Sequence, residues 1–410
     1  MPEQGYEVSP TDGGVLASAG FTAAGVAAGI KRRPGALDVC IIDAGRSVPA
    51  AAVFTLNTMA APPVEISREA VADGMLRAWV VNAGNANACT GEVGLADART
   101  MVETAASALG CEPSEIGVAS TGVIGVPLPI DRVCSGVRAA AGALGSSAEH
   151  GETAARAIMT TDTFVKQASF SVRLDGAVYT VGGMAKGSGM IEPNMATMLA
   201  FLTTDAPLTT EVCRMLLATV ADRTFNRITV DGDSSTNDTC ALMASGAAGG
   251  GPIGPDHPHL PAIEAALMRT CDALARMIVR DGEGATKLVE VTVRGARSEG
   301  DAVAAAREIA NSPLFKTALF GRDANWGRVA MALGNSGAAI DPAKVEVVFA
   351  GITTCKDGTA VEFSEEEAAE ALAADEVSVT VDLHLGTAQA TVLTCDLTYE
   401  YVRINGEYRT

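Results

Sequence analysis

The chain has 410 residues, of which 48% are hydrophobic, 19% charged and 4% aromatic. This composition supplies apolar side chains for one large α/β unit or for two to three domains, and it excludes a disordered chain. The 49 Asp and Glu residues outnumber the 30 Lys and Arg residues, which gives a formal net charge of −19. So acidic a chain repels phosphate backbones and anionic lipid surfaces, which argues against nucleic-acid and membrane partners.

Nine cysteines are present, and their spacing does not indicate a disulfide framework. Their number is odd, the closest pair is Cys89 and Cys111, and no C-x-x-C motif occurs. We therefore expect reduced thiols in a cytoplasmic protein, without structural zinc or another cofactor. The apolar residues 15–30 are too few for a membrane span, and their basic residues follow rather than precede them. We interpret this segment as buried globular chain.

In chain order, short apolar runs at 39–42 and 78–81 predict central strands. Residues 169–179 alternate like a hairpin that turns at Asp175-Gly176. Helices are predicted from periodicity and capping residues over 93–109, 207–225, 260–279 and 364–374. Further strands are predicted over 289–293, 345–349, 377–385 and 390–397. The pattern indicates a mixed α/β chain without a regular β-α-β repeat.

Several common catalytic motifs are missing from the sequence. H-E-x-x-H, G-x-S-x-G and the P-loop pattern do not occur. Asp231 begins a stretch that starts like a calcium loop, but Thr236 and Leu242 occupy its sixth and twelfth positions. Of the four histidines, His257 and His259 lie in a Gly/Pro-rich loop and are interpreted as solvated rather than metal-binding. A nucleophile activated by histidine is therefore poorly supported.

The segment 186–205 is the densest in chemical possibilities. Thr197 follows the small residue Ala196, and its hydroxyl is placed to attack the Ala196 carbonyl in an N-to-O acyl shift. Hydrolysis of the ester would leave Thr197 as a new N-terminus, whose α-amine has a pKa of roughly 7.7–8. One residue would then supply both nucleophile and base. From the residues alone, the simpler interpretation is favoured, in which Thr197 merely begins a buried strand.

The same segment, 186–205, resembles the self-cleavage segment of the ornithine acetyltransferase (ArgJ) family, and the resemblance covers essentially the whole chain. These proteins are bifunctional glutamate and amino-acid N-acetyltransferases of arginine biosynthesis. Further motifs similar to the family lie, in order, at 25–31, 82–91, 120–125, 159–163, 225–233, 278–287, 321–328 and 401–410. Small departures fall at Glu192, Ser234 and Gly406-Glu407. None of them removes a chemical group that the mechanism needs.

The resemblance implies a fold and an assembly. The fold is a DmpA/ArgJ-like layered α/β sandwich of the self-cleaved N-terminal-nucleophile type. Cleavage between Ala196 and Thr197 would give an α chain, 1–196, with the oxyanion hole and part of the substrate pocket. The β chain, 197–410, would carry the nucleophile at its N-terminus and fold its C-terminus back to the pocket. Both chains would be interwoven, and two of each would form an α2β2 heterotetramer.

The resemblance also implies site residues. Thr197 is the nucleophile, and Thr121 and Gly122 form the oxyanion hole, where losing one donor costs roughly 10²–10³ in rate. Lys186 has the chemistry to pair with a substrate carboxylate and Glu283 with an ammonium. The full set of substrate-contacting positions implied by the resemblance is Thr163, Lys186, Thr197, Glu283, Asn405 and Thr410.

The implied reaction is a ping-pong transfer of acetyl from N2-acetylornithine to glutamate through an acetyl-threonine. Whether acetyl-CoA also serves as an acetyl donor stays open. One alternative is an N-terminal-nucleophile hydrolase of the aminopeptidase/amidase kind, in which water accepts the acyl group. A second alternative is a non-enzymatic α/β protein in which the bond between Ala196 and Thr197 stays intact.

Overall fold

Two β-sheets organise the computed structural model, which describes residues 6–174, 176–192 and 198–407. The larger sheet has nine strands and the smaller has six. The strands are β1 (Glu7–Pro10), β2 (Thr22–Val26), β3 (Val39–Phe54), β4 (Met75–Asn85), β5 (Ile116–Val123), β6 (Lys166–Leu174), β7 (Ala177–Lys186), β8 (Leu199–Thr204), β9 (Thr239–Ala244), β10 (Leu288–Ala296), β11 (Glu346–Phe349), β12 (Ile352–Lys356), β13 (Thr359–Ala360), β14 (Glu376–Asp382) and β15 (Ala388–Cys395). The helices are α1 (Pro62–Ala70), α2 (Gly91–Leu109), α3 (Ile130–Gly142), α4 (Ala148–Ile158), α5 (Thr210–Arg223), α6 (Leu260–Arg280), α7 (Glu299–Asn311), α8 (Pro313–Phe320), α9 (Trp326–Asn335), α10 (Glu365–Ala371) and α11 (Tyr399–Glu407).

The larger sheet runs in the order β1-β6-β7-β8-β9-β3-β4-β5, with β2 added beside β3. Its neighbours are antiparallel except for two parallel pairs, β8 with β9 and β4 with β5. Strands β8 and β9 come from the chain after residue 197, and the other seven come from the chain before residue 196. Hydrogen bonds between β7 and β8 therefore join the two sides of the predicted cleavage position within one sheet.

Helical layers cover the outer faces of the larger sheet. Helix α6 carries apolar residues at helical spacing, namely Leu267, Cys271, Leu274 and Ile278. All four side chains are buried against the sheet. Burying one such leucine or isoleucine stabilises the fold by roughly 1.5–3 kcal/mol. Helices α2 and α3 belong with β3, β4 and β5 to a separate apolar cluster. Between these helical layers the sheet packs against itself, because Trp79 of β4 and Phe201 of β8 belong to a third apolar cluster, with their ring centroids 5.5 Å apart.

The smaller sheet runs β13-β12-β11-β14-β10-β15 and carries its own core. On β10, Val289, Val291 and Val293 alternate toward the core, in parallel register with a matching valine series on β14. Helix α7 packs its alanines and Ile309 against this face. The period-two pattern seen in the sequence is therefore the signature of one buried sheet face.

Most predicted elements are confirmed, with shifted ends. The helix predicted over 207–225 is Thr210–Arg223, because the Thr209 side chain accepts a hydrogen bond from the Val212 N–H and fixes the start. The strands predicted at 39–42 and 78–81 extend well beyond their apolar runs, to β3 and β4. The strand predicted over 377–385 was too long, since β14 ends at Asp382. His384 therefore lies outside a strand, in a left-handed conformation with φ 48°.

Two further sequence predictions concern the apolar segment 15–30 and the hairpin. The apolar segment 15–30 contributes β2 to the larger sheet, which confirms its interpretation as globular chain. The predicted hairpin is formed by β6 and β7, and Asp175 lies outside the described residues. Within the described ranges, every helix is too short or too polar to cross a membrane.

Candidate active site

One open cavity lies where several strands of the larger sheet end. Strands β5, β7 and β8 reach it with Gly122, Lys186 and Leu199. Its lining among the described residues is Ala86, Thr121, Gly122, Ile124, Thr160, Thr161, Lys186, Gly189, Met190, Ile191, Met198, Leu199, Ser235, Asn237, Asp238, Glu283 and Asn405. Five of the residues implied by the resemblance thus share this cavity, although they are far apart in the sequence.

The end of β5 presents Thr121 and Gly122 to the cavity. Gly122 has φ +132°, a conformation that residues with a Cβ rarely adopt. A Cβ at this position would also lie 2.4 Å from the carbonyl carbon of Gly84 on β4. Only glycine lets the two parallel strands approach this closely. Thr121 and Gly122 both line the cavity at this point.

Asn237 joins the segment before β9 to the strand that carries this pair. Its side-chain amide donates to the Ser120 carbonyl at 3.0 Å and to the Ala86 carbonyl at 2.6 Å. The Ser120 hydroxyl in turn donates to the Asn82 side chain at 2.5 Å. These buried bonds hold the end of β5 in place, so the donors of the cavity wall are set before any ligand enters.

Lys186 and Glu283 approach the cavity from β7 and from the turn after α6. The Glu283 N–H donates to the Ser188 carbonyl at 2.9 Å, which ties that turn to the segment after Lys186. A Cβ on Gly189 would lie 2.5 Å from the Glu283 carboxyl carbon, so a larger residue there would displace the Glu283 side chain. Asn405 on α11 donates to the Glu283 carboxylate at 2.8 Å. A lysine and a glutamate therefore line one cavity.

Beneath this wall lies a buried ion cluster of Asp162, Lys166 and Asp281. The Lys166 ammonium contacts the Asp162 carboxylate at 2.6 Å and the Asp281 carboxylate at 2.5 Å, and its side chain is fully buried. Burial opposes ionisation of Asp162, but the positive charges of Lys186 and Lys166 outweigh it and lower the Asp162 pKa to about 2. The cluster is thus one buried ammonium between two carboxylates.

The cluster touches the cavity wall at two points. Asp162 accepts a hydrogen bond from the Gly187 N–H at 2.7 Å, directly after Lys186. Asp281 accepts from the Thr163 N–H at 2.9 Å and also from the Thr163 hydroxyl. The Asp281 backbone carbonyl accepts from the Ser188 hydroxyl. The cluster therefore sets the relative positions of Thr163, Lys186 and the Glu283 turn.

The segment on the N-terminal side of the predicted cleavage position is held by the loop after Val230. Asp231 accepts hydrogen bonds from the Met190 and Ile191 N–H groups at 2.7 and 2.8 Å. Glu192 accepts from the Asn311 side chain at 2.8 Å and pairs with Arg307 at 3.4 Å. Residues 190–192 are therefore anchored on two sides.

The predicted site residues divide into three groups. Thr121, Gly122, Lys186, Glu283 and Asn405 line the cavity. Thr163 does not line it; its neighbours Thr160 and Thr161 do, while its hydroxyl is bound to Asp281. The last group, Ala196, Thr197 and Thr410, lies outside the described residues. Met198 and Leu199, which follow Thr197 in the chain, line the cavity.

Sequence reasoning missed three polar residues that build this site: Lys166, Asn237 and Asp238. Lys166 and Asp238 are buried ionisable residues, but burial cannot be read from their neighbours in the sequence. Asn237 and Asp238 follow the polar run that begins at Asp231, and the sequence of that run resembles only the start of a calcium loop. The one sequence signal for Asn237 and Asp238 is that they are polar residues directly before an apolar strand, β9.

In the described ranges, no group of three or more His, Cys, Asp or Glu side chains converges in a way that could hold a metal ion. All nine cysteines are free thiols. Burial raises the pKa of the Cys213 thiol to about 12, which keeps it protonated and inert.

The layered α/β fold, with polar and charged side chains that include Lys186 and Glu283 lining one cavity, is that of an enzyme acting on small molecules. The ArgJ family model matches residues 22–410. The arginine biosynthesis bifunctional protein ArgJ of Symbiobacterium thermophilum is 53% identical over 97% of this chain and 99% of its own length. That of Geobacillus kaustophilus is 47% identical over 97% of each. The chain belongs to the ArgJ family.

Solved structures are similar as well. The ornithine acetyltransferase of Mycobacterium tuberculosis, crystallised with ornithine, is 41% identical with a TM-score of 0.44. That similarity covers 46% of this chain and 100% of the solved chain. The expected fold class, an ArgJ-type layered α/β sandwich, is confirmed by the family membership and by the layers described above.

Proposed function

We propose that this chain cleaves itself between Ala196 and Thr197 and then transfers acetyl from N2-acetylornithine to glutamate, in arginine biosynthesis. Its membership of the ArgJ family, and the arginine-biosynthesis relatives named above, support this reaction. The observation that carries the proposal is that Thr121, Gly122 and the charged pair Lys186 and Glu283 share one cavity. Met198 and Leu199 bring the start of β8 to the same cavity.

Thr197 is the proposed nucleophile. Its hydroxyl attacks the acetyl carbonyl of acetylornithine, and its own α-amine accepts the hydroxyl proton. The Gly122 N–H and the Thr121 hydroxyl stabilise the negative oxygen of the tetrahedral intermediate. Ornithine leaves, and glutamate enters the same cavity and takes the acetyl group from the acetyl-threonine. No metal is needed for these steps.

Lys186 and Glu283 are the proposed amino-acid contacts. Lys186 pairs with a carboxylate of the substrate and Glu283 with an ammonium. Asn405 orients Glu283 through their 2.8 Å hydrogen bond, so the C-terminal helix α11 takes part in binding. Thr163 and Thr410 complete the proposed set. Acetyl-CoA as a second acetyl donor remains part of this proposal, since the relatives are named as bifunctional.

The mature protein is proposed to consist of an α chain, 1–196, and a β chain, 197–410, assembled as an α2β2 heterotetramer in the cytoplasm. Pairing of β7 with β8 supports a stable association after cleavage, because the two chains would share one continuous sheet. Nine free thiols fit a reducing compartment. The acidic net charge supports the absence of nucleic-acid and membrane partners.

The direct test of the reaction is to mix the purified protein with acetylornithine and glutamate and to follow products by mass spectrometry. We expect acetylglutamate and ornithine in equal amounts. If free acetate appears in place of acetylglutamate, the protein is a hydrolase of the N-terminal-nucleophile kind and not a transferase.

Replacing Thr121 by valine removes a hydroxyl and little volume. We expect kcat for acetyl transfer to fall by roughly 10²–10³, the loss typical of one oxyanion donor, with KM little changed. Steady-state kinetics with acetylornithine check this. A matched control is Thr100→Val on the exposed part of α2, which should leave kcat unchanged. A Thr121→Val enzyme with normal kcat would remove Thr121 from the oxyanion hole.

A further inference from the structure

Asp238 is a buried carboxyl group of the cavity that the proposed reaction does not use. It directly precedes β9 and is 2% exposed. The Thr239 N–H donates to the Met198 carbonyl at 3.0 Å, and Thr239 is in parallel register with Leu199, two residues after Thr197 in the chain. Asp238 therefore lies at the end of the cavity where the strand following the proposed nucleophile begins.

One oxygen of this carboxyl group has no partner among the described residues. Asp238 Oδ2 is buried and makes no hydrogen bond in the described part of the chain. Ser235 donates to the carboxyl group, and Lys186 is the cation that acts on it through space. A buried carboxylate with an unpaired oxygen costs several kcal/mol, whereas the neutral acid costs much less.

The protonation state of Asp238 follows from these surroundings. Burial raises the pKa of Asp238 well above its usual range, and the Ser235 hydrogen bond and the Lys186 charge oppose this only in part. Burial and the unpaired oxygen therefore both favour the neutral carboxylic acid, which has a proton to donate. A group of this kind in a reaction cavity is suited to proton transfer.

We propose that Asp238 carries a second proton of the acetyl-transfer cycle: it protonates the amine that leaves and deprotonates the amine that enters. The proposal rests on the proposed acetyl transfer at Thr197 and adds a group to it. The Thr197 amine then does not have to release its proton to ornithine, and it can remain charged throughout the life of the acetyl-threonine.

In the first half-reaction, the Thr197 hydroxyl proton moves to the Thr197 α-amine, a C–O bond forms, and the C–N bond to ornithine breaks as the nitrogen takes the Asp238 proton. The acetylated enzyme then holds an ammonium and a carboxylate. In the second half-reaction, the glutamate nitrogen forms a C–N bond and gives its proton to Asp238. The C–O bond to Thr197 breaks, and the ammonium returns its proton to the hydroxyl.

Because Asp238 and the Thr197 α-amine carry different protons, the proposal makes a specific prediction for Asp238→Asn. Asparagine keeps the shape of the side chain but has no proton to donate. We expect the burst of ornithine released from acetylornithine to slow by about 10²-fold or more, the usual effect of general acid catalysis. The burst of p-nitrophenolate from p-nitrophenyl acetate should keep its rate, because a phenolate leaves without being protonated. Both bursts report the same acetylation of Thr197.

Asp205→Asn is the matched control. Asp205 is also a buried aspartate, but it follows the far end of β8 and accepts a hydrogen bond from Thr180 at 2.7 Å. We expect the ratio of the two bursts to stay at its wild-type value. If Asp238→Asn slows both bursts equally, or slows neither, the proposal is overturned. If the wild-type protein acetylates with neither donor, the proposed function itself fails.

A second measurement needs no variant. In wild-type enzyme labelled with ¹³C-aspartate, the infrared difference spectrum on acetylation should lose the stretch of a protonated carboxyl group and gain that of a carboxylate. This result is expected even if Asp238→Asn does not fold or does not cleave itself. An unchanged protonated-carboxyl band on full acetylation would overturn the proposal.

Discussion

A Thr197→Ala chain is expected to remain a single polypeptide and to transfer no acetyl group. Alanine has no hydroxyl to attack the Ala196 carbonyl, so neither the ester nor the new N-terminus can form. Loss of a covalent nucleophile removes the reaction path itself, so the fall in kcat should exceed the roughly 10²–10³ expected for an oxyanion donor. Denaturing gels follow the cleavage, and product analysis follows the transfer.

Thr197→Ser is the matched control, because it keeps a hydroxyl at the same position. It should still be cleaved, at an altered rate, and should still form acetylglutamate. A Thr197→Ala chain that is cleaved, or that transfers acetyl as the wild type does, would contradict the assignment of Thr197 as nucleophile. The same pair of variants also distinguishes loss of the nucleophile from general misfolding, since both differ from threonine by small changes in volume.

Lys166→Met is expected to give the largest loss of stability. The substitution leaves the Asp162 and Asp281 carboxylates buried without the ammonium that contacts both of them. Removing one partner of a buried ion pair costs about 3–5 kcal/mol, because the remaining charge is uncompensated. We expect this loss in the free energy of unfolding by urea. Where protein folds, KM should rise, since the cluster positions Thr163 and Lys186.

Two controls make this result specific. Lys344→Met breaks an exposed pair with Asp341 and should change stability by no more than about 0.5 kcal/mol. Adding Asp281→Asn to Lys166→Met should recover part of the loss, since one of the two uncompensated carboxylates is then neutral. Equal losses from Lys166→Met and Lys344→Met, or a purely additive double variant, would show that the cluster does not act as a unit.

The sequence alone was sufficient for the elements with strong periodicity. Helix α6 and the valine strands β10 and β14 were predicted because burial on one face leaves a periodic pattern in the chain. The ends of β3 and β4 were not, since β3 continues through a register shift after Asp43 into polar and small residues. There, pairing with both β4 and β9 decides the conformation, and pairing partners are distant in sequence.

In the site, too, the sequence predicts some features and not others. Gly122 was identified by resemblance, and the structure supplies the physical reason, a close approach to Gly84. Lys166 has no signal in the sequence, because nothing near it in the chain reveals that Asp281 folds back against it. The role proposed for Asp238 likewise depends on its neighbours in space, which the sequence does not show. Charges that act together across more than a hundred residues of chain leave no local pattern.

The most direct test of the whole account is the intact mass of the purified wild-type protein under denaturing conditions. We predict two species, whose masses correspond to residues 1–196 and 197–410 and add up to the 41.7 kDa chain plus one water. The second species should begin with threonine on N-terminal sequencing. A single species of 41.7 kDa with full acetyl-transfer activity would contradict the central claim that a free amino group at Thr197 drives the reaction.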